Sequence, residues 1–337
     1  MLQEERIECP SIGQLNHFLS NLRRNQHGSK SMTMSELVDF VTPRLQMPLD
    51  VDQPFIAGYD APNIEKRWFR LFITTKRLMS LAVKTKHILA DATYKLVYEG
   101  YPSLTIGTTD NNKKFHHFGI GITTYEKQEY FAFIFRTVKK TVENVEGVEY
   151  EPDTLIADNA PEITNGFKDV FSLKKRVNCW AHVIRNIDSE LNRIELTLRQ
   201  KIRRDILAIQ VVDAKEKFDK SIQLLQQKQW CVEGRNGWFE GYLTGKPSTS
   251  NGLESSHRAI KDYHNGRLRK RLPLKQCLQE MFNLVSKWSN KHSKVSVIES
   301  VGEITEVENS NYLEFYAKPV ITTQDWTDAY KWQRLDK

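Results

Sequence analysis

A chain of 337 residues, 39% hydrophobic and 27% charged, with 16 glycines and 11 prolines, has globular proportions and length enough for about two domains. That composition excludes a disordered or collagen-like chain. Forty-nine Lys and Arg against 42 Asp and Glu leave a net charge of +7, a weak pointer to a polyanionic partner.

Residues 1–65 read as a helical lead-in. Ile12, Leu15, Phe18, Leu19 and Leu22 at helical spacing predict a helix over 11–25, followed by the polar patch Gly28-Ser29-Lys30-Ser31. A second short helix over 35–41 is closed by Pro43 and Pro48. From residue 66 the periodicity changes. A helix is expected over 67–84, then strands over 88–95, 104–109 and 115–123, the last two joined by the turn residues Asp110-Asn111-Asn112-Lys113. The amphipathic run 127–145 sets Tyr130, Phe131, Ile134, Phe135, Val138 and Val142 on one helical face. A buried-type strand over 154–157, a helix over 161–171 and a fifth strand over 176–179 follow.

Three strands joined by hairpins, then helix, strand, helix and strand, predict an α/β fold. Its sheet is expected to be mixed and five-stranded, an antiparallel meander continued by parallel strands and flanked by helices. Residues 183–247 form a large helical insertion, interrupted by the aromatic piece from Trp230 to Gly245. Helix returns over 248–292, and residues 293–337 are a weakly patterned tail.

Three acids stand out, although each has an ordinary explanation alone. Asp91 reads as a turn residue ending a strand, Asp158 as a helix cap before Pro161, and Glu254 as half of a capping box with Asn251. Jointly they are less ordinary. Two aspartates end two strands, where open α/β sheets place ligands, and the glutamate opens a helix after the insertion. Three carboxylates brought together without a basic partner would repel, and hard divalent cations relieve that repulsion. Two such ions about 4 Å apart clamp the attacking and leaving oxygens of a phosphodiester.

The order Asp91-Ala92-Thr93-Tyr94, Ala157-Asp158-Asn159-Ala160, Cys179-Trp180-Ala181-His182 and Ser248-Thr249-Ser250-Asn251-Gly252-Leu253-Glu254-Ser255 resembles the Mutator-like (MULE) transposases, DDE-type enzymes on an RNase H-like fold. The resemblance covers residues 66–290. It implies an RNase H-like core in two parts, 66–182 and 248–292, split by the insertion. Asp91, Asp158 and Glu254 are then the catalytic and metal-binding acids, holding two Mg²⁺ or Mn²⁺ ions, with Cys179 and His182 as a supporting motif. Residues 1–65 become the remnant or linker of a missing DNA-binding module. The implied activity is cleavage and strand transfer of double-stranded DNA at transposon ends into target DNA, by a homodimer or larger assembly. A domesticated, non-catalytic derivative that binds DNA or regulates transcription is the alternative; the presence of all three acids argues for catalysis.

Cys179 and His182 could start a zinc site only if Cys231, Cys277, His257 or His264 completed it. The other reading is a buried thiol beside a hydrogen-bonded histidine. The resemblance favours that reading, with His182 near the acids but not a ligand.

Basic side chains flank these motifs: Lys174, Lys175 and Arg176, Arg203 and Arg204, Arg258 and Lys261 after Glu254, and Arg267, Arg269 and Arg271. They are candidate phosphate contacts, and the run 267–271 also reads as a nuclear localisation stretch, so the nucleus is the expected compartment. Trp230 and Trp238 are candidates for stacking on an unpaired base, against core packing as the commoner role. Four scattered cysteines exclude a disulfide framework and fit a reducing compartment inside the cell. No apolar run approaches the ~18 residues of a membrane span, and the acidic start MLQEERIECP lacks the features of a secretion signal.

Overall fold

The computed structural model describes residues 11–26, 32–61, 68–94, 96–110, 114–212, 214–227 and 251–299. The patch 28–31, the piece 230–245 and the tail from residue 300 lie outside the described residues. In the lead-in, α1 (Ile12–Gln26) and α2 (Met34–Val41) form where helical spacing places them. A reciprocal capping box between Thr33 and Glu36 starts α2, which buries Leu37 and Val41 in the main core.

The chain then departs from the expected pattern. Phe55–Asp60 is a strand, β1, and Arg70–Thr74, inside the stretch read as one helix over 67–84, is a second, β2. Leu71, Phe72 and Ile73 are all fully buried, so no alternation marked them as strand; a continuous apolar run serves a doubly covered strand as well as a helix. Antiparallel pairing with a later strand over Arg70–Ile73 decides the matter. The helix that remains is α3 (Lys76–Ser80), capped by the Thr75 hydroxyl accepting from the Leu78 amide, with a 3-10 turn at Ala82–Lys84.

Next come β3 (His87–Thr93), β4 (Ser103–Thr109), β5 (Phe115–Thr123), α4 (Gln128–Glu146), β6 (Thr154–Ala157), α5 (Pro161–Lys168) and β7 (Lys175–Asn178) in the expected order. The sheet is therefore seven-stranded rather than five-stranded, in the order β1-β2-β5-β4-β3-β6-β7. Its pairs are antiparallel from β1 through β3 and parallel from β3 through β7, so the mixed meander-then-parallel pattern is as expected.

One sheet face is apolar. Ile88, Ala90, Leu155 and Ala157 share a core with Phe131, Ile134, Phe135 and Val138 of α4 and with Ile163 and Phe167 of α5. Gly147, at φ +69, stops α4 in the left-handed conformation that costs a glycine least. The opposite face carries Leu89, Ile156 and Val177, and by the two-residue period of a strand it also carries Asp91 and the positions of Asp158 and Cys179. Helices α6 (Trp180–Leu191), α7 (Leu196–Gln210) and α8 (Lys215–Gln227) build a second core from Trp180, Leu191, Ile202, Ile206, Ile209 and Phe218. The chain then returns as α9 (Asn251–Gly266) and α10 (Leu274–Glu299), the latter placing Cys277, Leu278, Met281, Leu284 and Val285 in the main core.

Candidate active site

The parallel register of β3 and β6 pairs Ala90 with Ala157, so Asp91 and Asp158 are the next residues on neighbouring chains, at a strand spacing of ~4.8 Å. Each carboxylate is oriented by a backbone amide. Asp91 Oδ1 accepts from the Ala92 N–H at 2.8 Å and Asp158 Oδ1 from the Ala160 N–H at 3.0 Å. Asp158 thus shapes a side-chain turn leading into α5, whose cap is Ala160 rather than Asp158 itself. The same bend is held from β7. Arg176 Nε donates to Thr164 Oγ1 at 2.9 Å, and its guanidinium reaches the carbonyls of Ala157, Val177 and Asp158. Those bonds make Arg176 part of the scaffold of the acids.

The third element is α9. Leu253, 1% exposed, packs with Leu89, Phe115, Ile156 and Val177. The Ser256 hydroxyl hydrogen-bonds His117 Nε2, and the His117 ring stacks on Trp288 of α10 with centroids 3.5 Å apart. Docked this way, α9 brings His257 Nδ1 to 3.5 Å from Asp91 Oδ2. The Glu254 backbone stands one turn before His257, on the helix that meets β3. The side chains of Glu254, His264 and Arg267 lie outside the described residues, as do Cys231, Trp230 and Trp238 altogether.

Charge is concentrated here. Glu126, in the loop between β5 and α4, has its carboxyl pushed up to about 7, first by burial and then by the negative charge of Asp158, Asp91 and Glu162. His182 is raised to about 9, first by its hydrogen bond to the Cys179 side chain, against burial, and further by the charges of Cys179, Asp91 and Asp158. His257 is lowered to about 4, first by burial and then by the positive charges of Lys261 and His182. Its 3.5 Å approach to Asp91 is therefore that of a neutral ring rather than an ion pair.

Two adjacent carboxylates, each with one oxygen on a backbone amide, offer the hard oxygen donors that Mg²⁺ or Mn²⁺ takes. Among the described residues no group of three or more His, Cys, Asp and Glu is placed to hold a metal ion. The pair fits as part of a donor set that needs a further carboxylate, and α9 is where Glu254 enters. Cys277 does not join Cys179; it is fully buried in the main core, where burial pushes its thiol up.

The basic candidates are dispersed. Lys174 pairs with Asp153 at 3.3 Å, Arg203 with Asp188 at 2.8 Å, and Arg269 with Asp262. Lys175, Arg204, Arg258 and Arg271 are exposed, and Lys261 is half-buried. Sequence reasoning missed Glu126, a lone loop acid beside Lys127 with no motif around it. It took His257 only as a zinc candidate, although the three-residue step from Glu254 sets both on one side of a helix.

Glu126 yields a pH prediction. A carboxyl raised in the folded state binds its proton there while the unfolded chain has lost it, so stability falls as pH rises from about 4.5 through about 7. Glu126→Gln removes that loss. In chelator at pH 8 the variant is expected to gain about 1–2 kcal/mol over the native chain, a figure discounted for the partial exposure of the group. At pH 5 the two are expected to unfold alike. Thermal unfolding at both pH values checks it, and equal midpoints at pH 8 would contradict the clustering of charge.

A comparison with curated proteins finds no match. Residues 87–186 match the family model described as the MULE transposase domain. The matched segment opens on the first residue of β3, spans β3 to β7 with α4 and α5, and ends within α6. It contains Asp91, Asp158, Cys179 and His182 and stops before Glu254. With these strands and side chains inside that match, residues 87–186 are similar to the MULE transposase domain, a similarity that covers less than half of the chain.

Proposed function

We propose that the chain is the catalytic core of a DDE-type transposase, built on an RNase H-like unit formed by β3 to β7 with α4, α5 and α9. The observation that carries the reading is the placement of Asp91, within β3, beside Asp158, the residue after β6, on parallel neighbours, with α9 against β3. Asp91, Asp158 and Glu254 hold two Mg²⁺ or Mn²⁺ ions. Bound there, the ions supply charge neutralisation at the scissile phosphate and lower the pKa of the attacking water or hydroxyl. The protein's own part is positional. The amides of Ala92 and Ala160 orient the aspartates, Arg176 fixes the loop of Asp158, and the His182 cation offsets part of their mutual repulsion.

The substrate is double-stranded DNA. Water opens a phosphodiester at a transposon end, leaving a 3′-hydroxyl on one strand and a 5′-phosphate on the other fragment. That hydroxyl then attacks a target phosphodiester, displacing a second 3′-oxygen. Lys175, Arg204, Arg258, Lys261 and Arg271 supply phosphate contacts around the cut. The protein works in the nucleus as a homodimer or larger assembly on paired ends.

Labelled duplexes from the genomic flanks of the coding sequence test this, with supercoiled plasmid as a sequence-independent control. Mg²⁺- or Mn²⁺-dependent nicking that chelator stops, followed by joined products, is the expected result. Binding without cutting under both metals would overturn it and leave a DNA-binding derivative.

A further inference from the structure

We propose that His257 is a positioning residue for Asp91, presenting its Nδ1–H to Oδ2 and fixing that carboxylate's orientation for the metal-dependent reaction. The inference rests on the catalytic reading above and names a residue that the three-acid scheme does not use. Three observations carry it.

The first is the approach itself, 3.5 Å between Nδ1 and Oδ2. That is contact rather than a formed hydrogen bond, and such pairs tighten once an active site fills. With Asp91 Oδ1 already accepting from the Ala92 amide, a second donor at Oδ2 would hold both oxygens of the carboxylate.

The second is the rigidity of the approach. His257 is 8% exposed and sits on a helix held by two anchors in the turn before it, Leu253 in the sheet cluster and the bond of Ser256 to His117, whose ring stacks on Trp288. The ring is delivered to Asp91 by packing. Asp91 Oδ2 is the carboxylate oxygen that faces Nδ1.

The third is the remaining nitrogen. His257 Nε2 is buried with no hydrogen-bond partner among the described residues. An unfilled position at Nε2 is easiest to tolerate as a bare acceptor, which assigns the proton to Nδ1, facing the carboxylate. A carboxylate fixing a ring's tautomer, and the ring fixing the carboxylate in return, is how outer groups tune metal-binding acids.

The test uses the full chain and has a metal-free and a metal-loaded readout. Nitrogen-15 histidine spectra in chelator, with the His257 signal assigned by its loss in His257→Asn, should show the Nδ1–H tautomer, and Asp91→Ala should convert it to Nε2–H. Mn²⁺ titration by calorimetry should show about 10-fold weaker binding in His257→Ala. His257→Asn, whose amide N–H falls where Nδ1 was, should restore affinity to within about 3-fold, whereas His257→Gln, which mimics Nε2, should not. An Nε2–H tautomer in the native chain overturns the proposal, as do equal Mn²⁺ affinities across all variants or equal rescue by Gln and Asn. Asp91→Asn is the separate control: if it binds Mn²⁺ as tightly as the native chain, the catalytic reading itself fails, whatever His257 does.

Discussion

Asp91→Asn is expected to lower metal-dependent DNA cleavage by on the order of 10³-fold or more while leaving the metal-free protein at least as stable as the native one. The size follows from what a held divalent ion contributes, several kcal/mol of charge stabilisation in the transition state, at about 1.4 kcal/mol per factor of ten. The sign of the stability change follows from the register of β3 and β6, which sets two carboxylates on neighbouring strands; Glu126, raised first by burial, is raised further by their charge. Removing one charge relieves that repulsion. A metal ion should therefore stabilise the native chain, by about 2.7 kcal/mol at 100 times its dissociation constant, and so raise its midpoint, while leaving that of Asp91→Asn unmoved. Asp158→Asn should behave alike. Paired thermal scans with and without Mn²⁺, run beside the cleavage assay, check both halves. Full cleavage by the Asn variant would remove Asp91 from the chemistry.

Leu253→Ala is expected to cost about 3 kcal/mol, within the range of buried leucine truncations, and to reduce cleavage as well. Leu253 is 1% exposed and bridges α9 to β3, β5, β6 and β7 through Leu89, Phe115, Ile156 and Val177. The cavity would open under the helix that carries both Glu254 and His257. Local opening of α9 should then exceed that of α4, whose apolar face lies across the sheet. Hydrogen exchange resolved by segment measures it. Unchanged protection of α9 in the variant would mean that Leu253 is not its anchor.

Much of this arrangement is legible in the sequence because its signals are local. Alternation and turn residues mark β4 and β5, the apolar face of α4 repeats at helical spacing, and a four-residue buried run ending in Asp158 reads as a strand leading into a proline-started helix. β2 escapes because its evidence of strand character is long-range. Leu71, Phe72 and Ile73 are buried on both sides by partners distant in sequence, so no period of two survives. At the site, Asp158 is visible as an acid just past a strand, whereas Asp91, read as a turn residue ending a strand, is buried inside β3 and paired with Thr105 of β4. Glu126 is invisible because its importance comes from burial and from the field of other acids, which only the folded chain assembles. Arg176 looks like one more cation in a basic run until its donors are found on three carbonyls.

The antiparallel extension of the sheet has a practical corollary for dissecting the protein. β5 lends its outer rim to β2 over Ile120–Thr123, and Leu71 and Ile73 are fully buried there. A fragment trimmed to the boundaries of the family match would strip that rim bare, presenting a row of unsatisfied amides and carbonyls beside newly wetted aliphatic surface. Such an edge recruits other copies of itself. A fragment that keeps this rim covered therefore begins upstream of the segment matched by the family model, before β1.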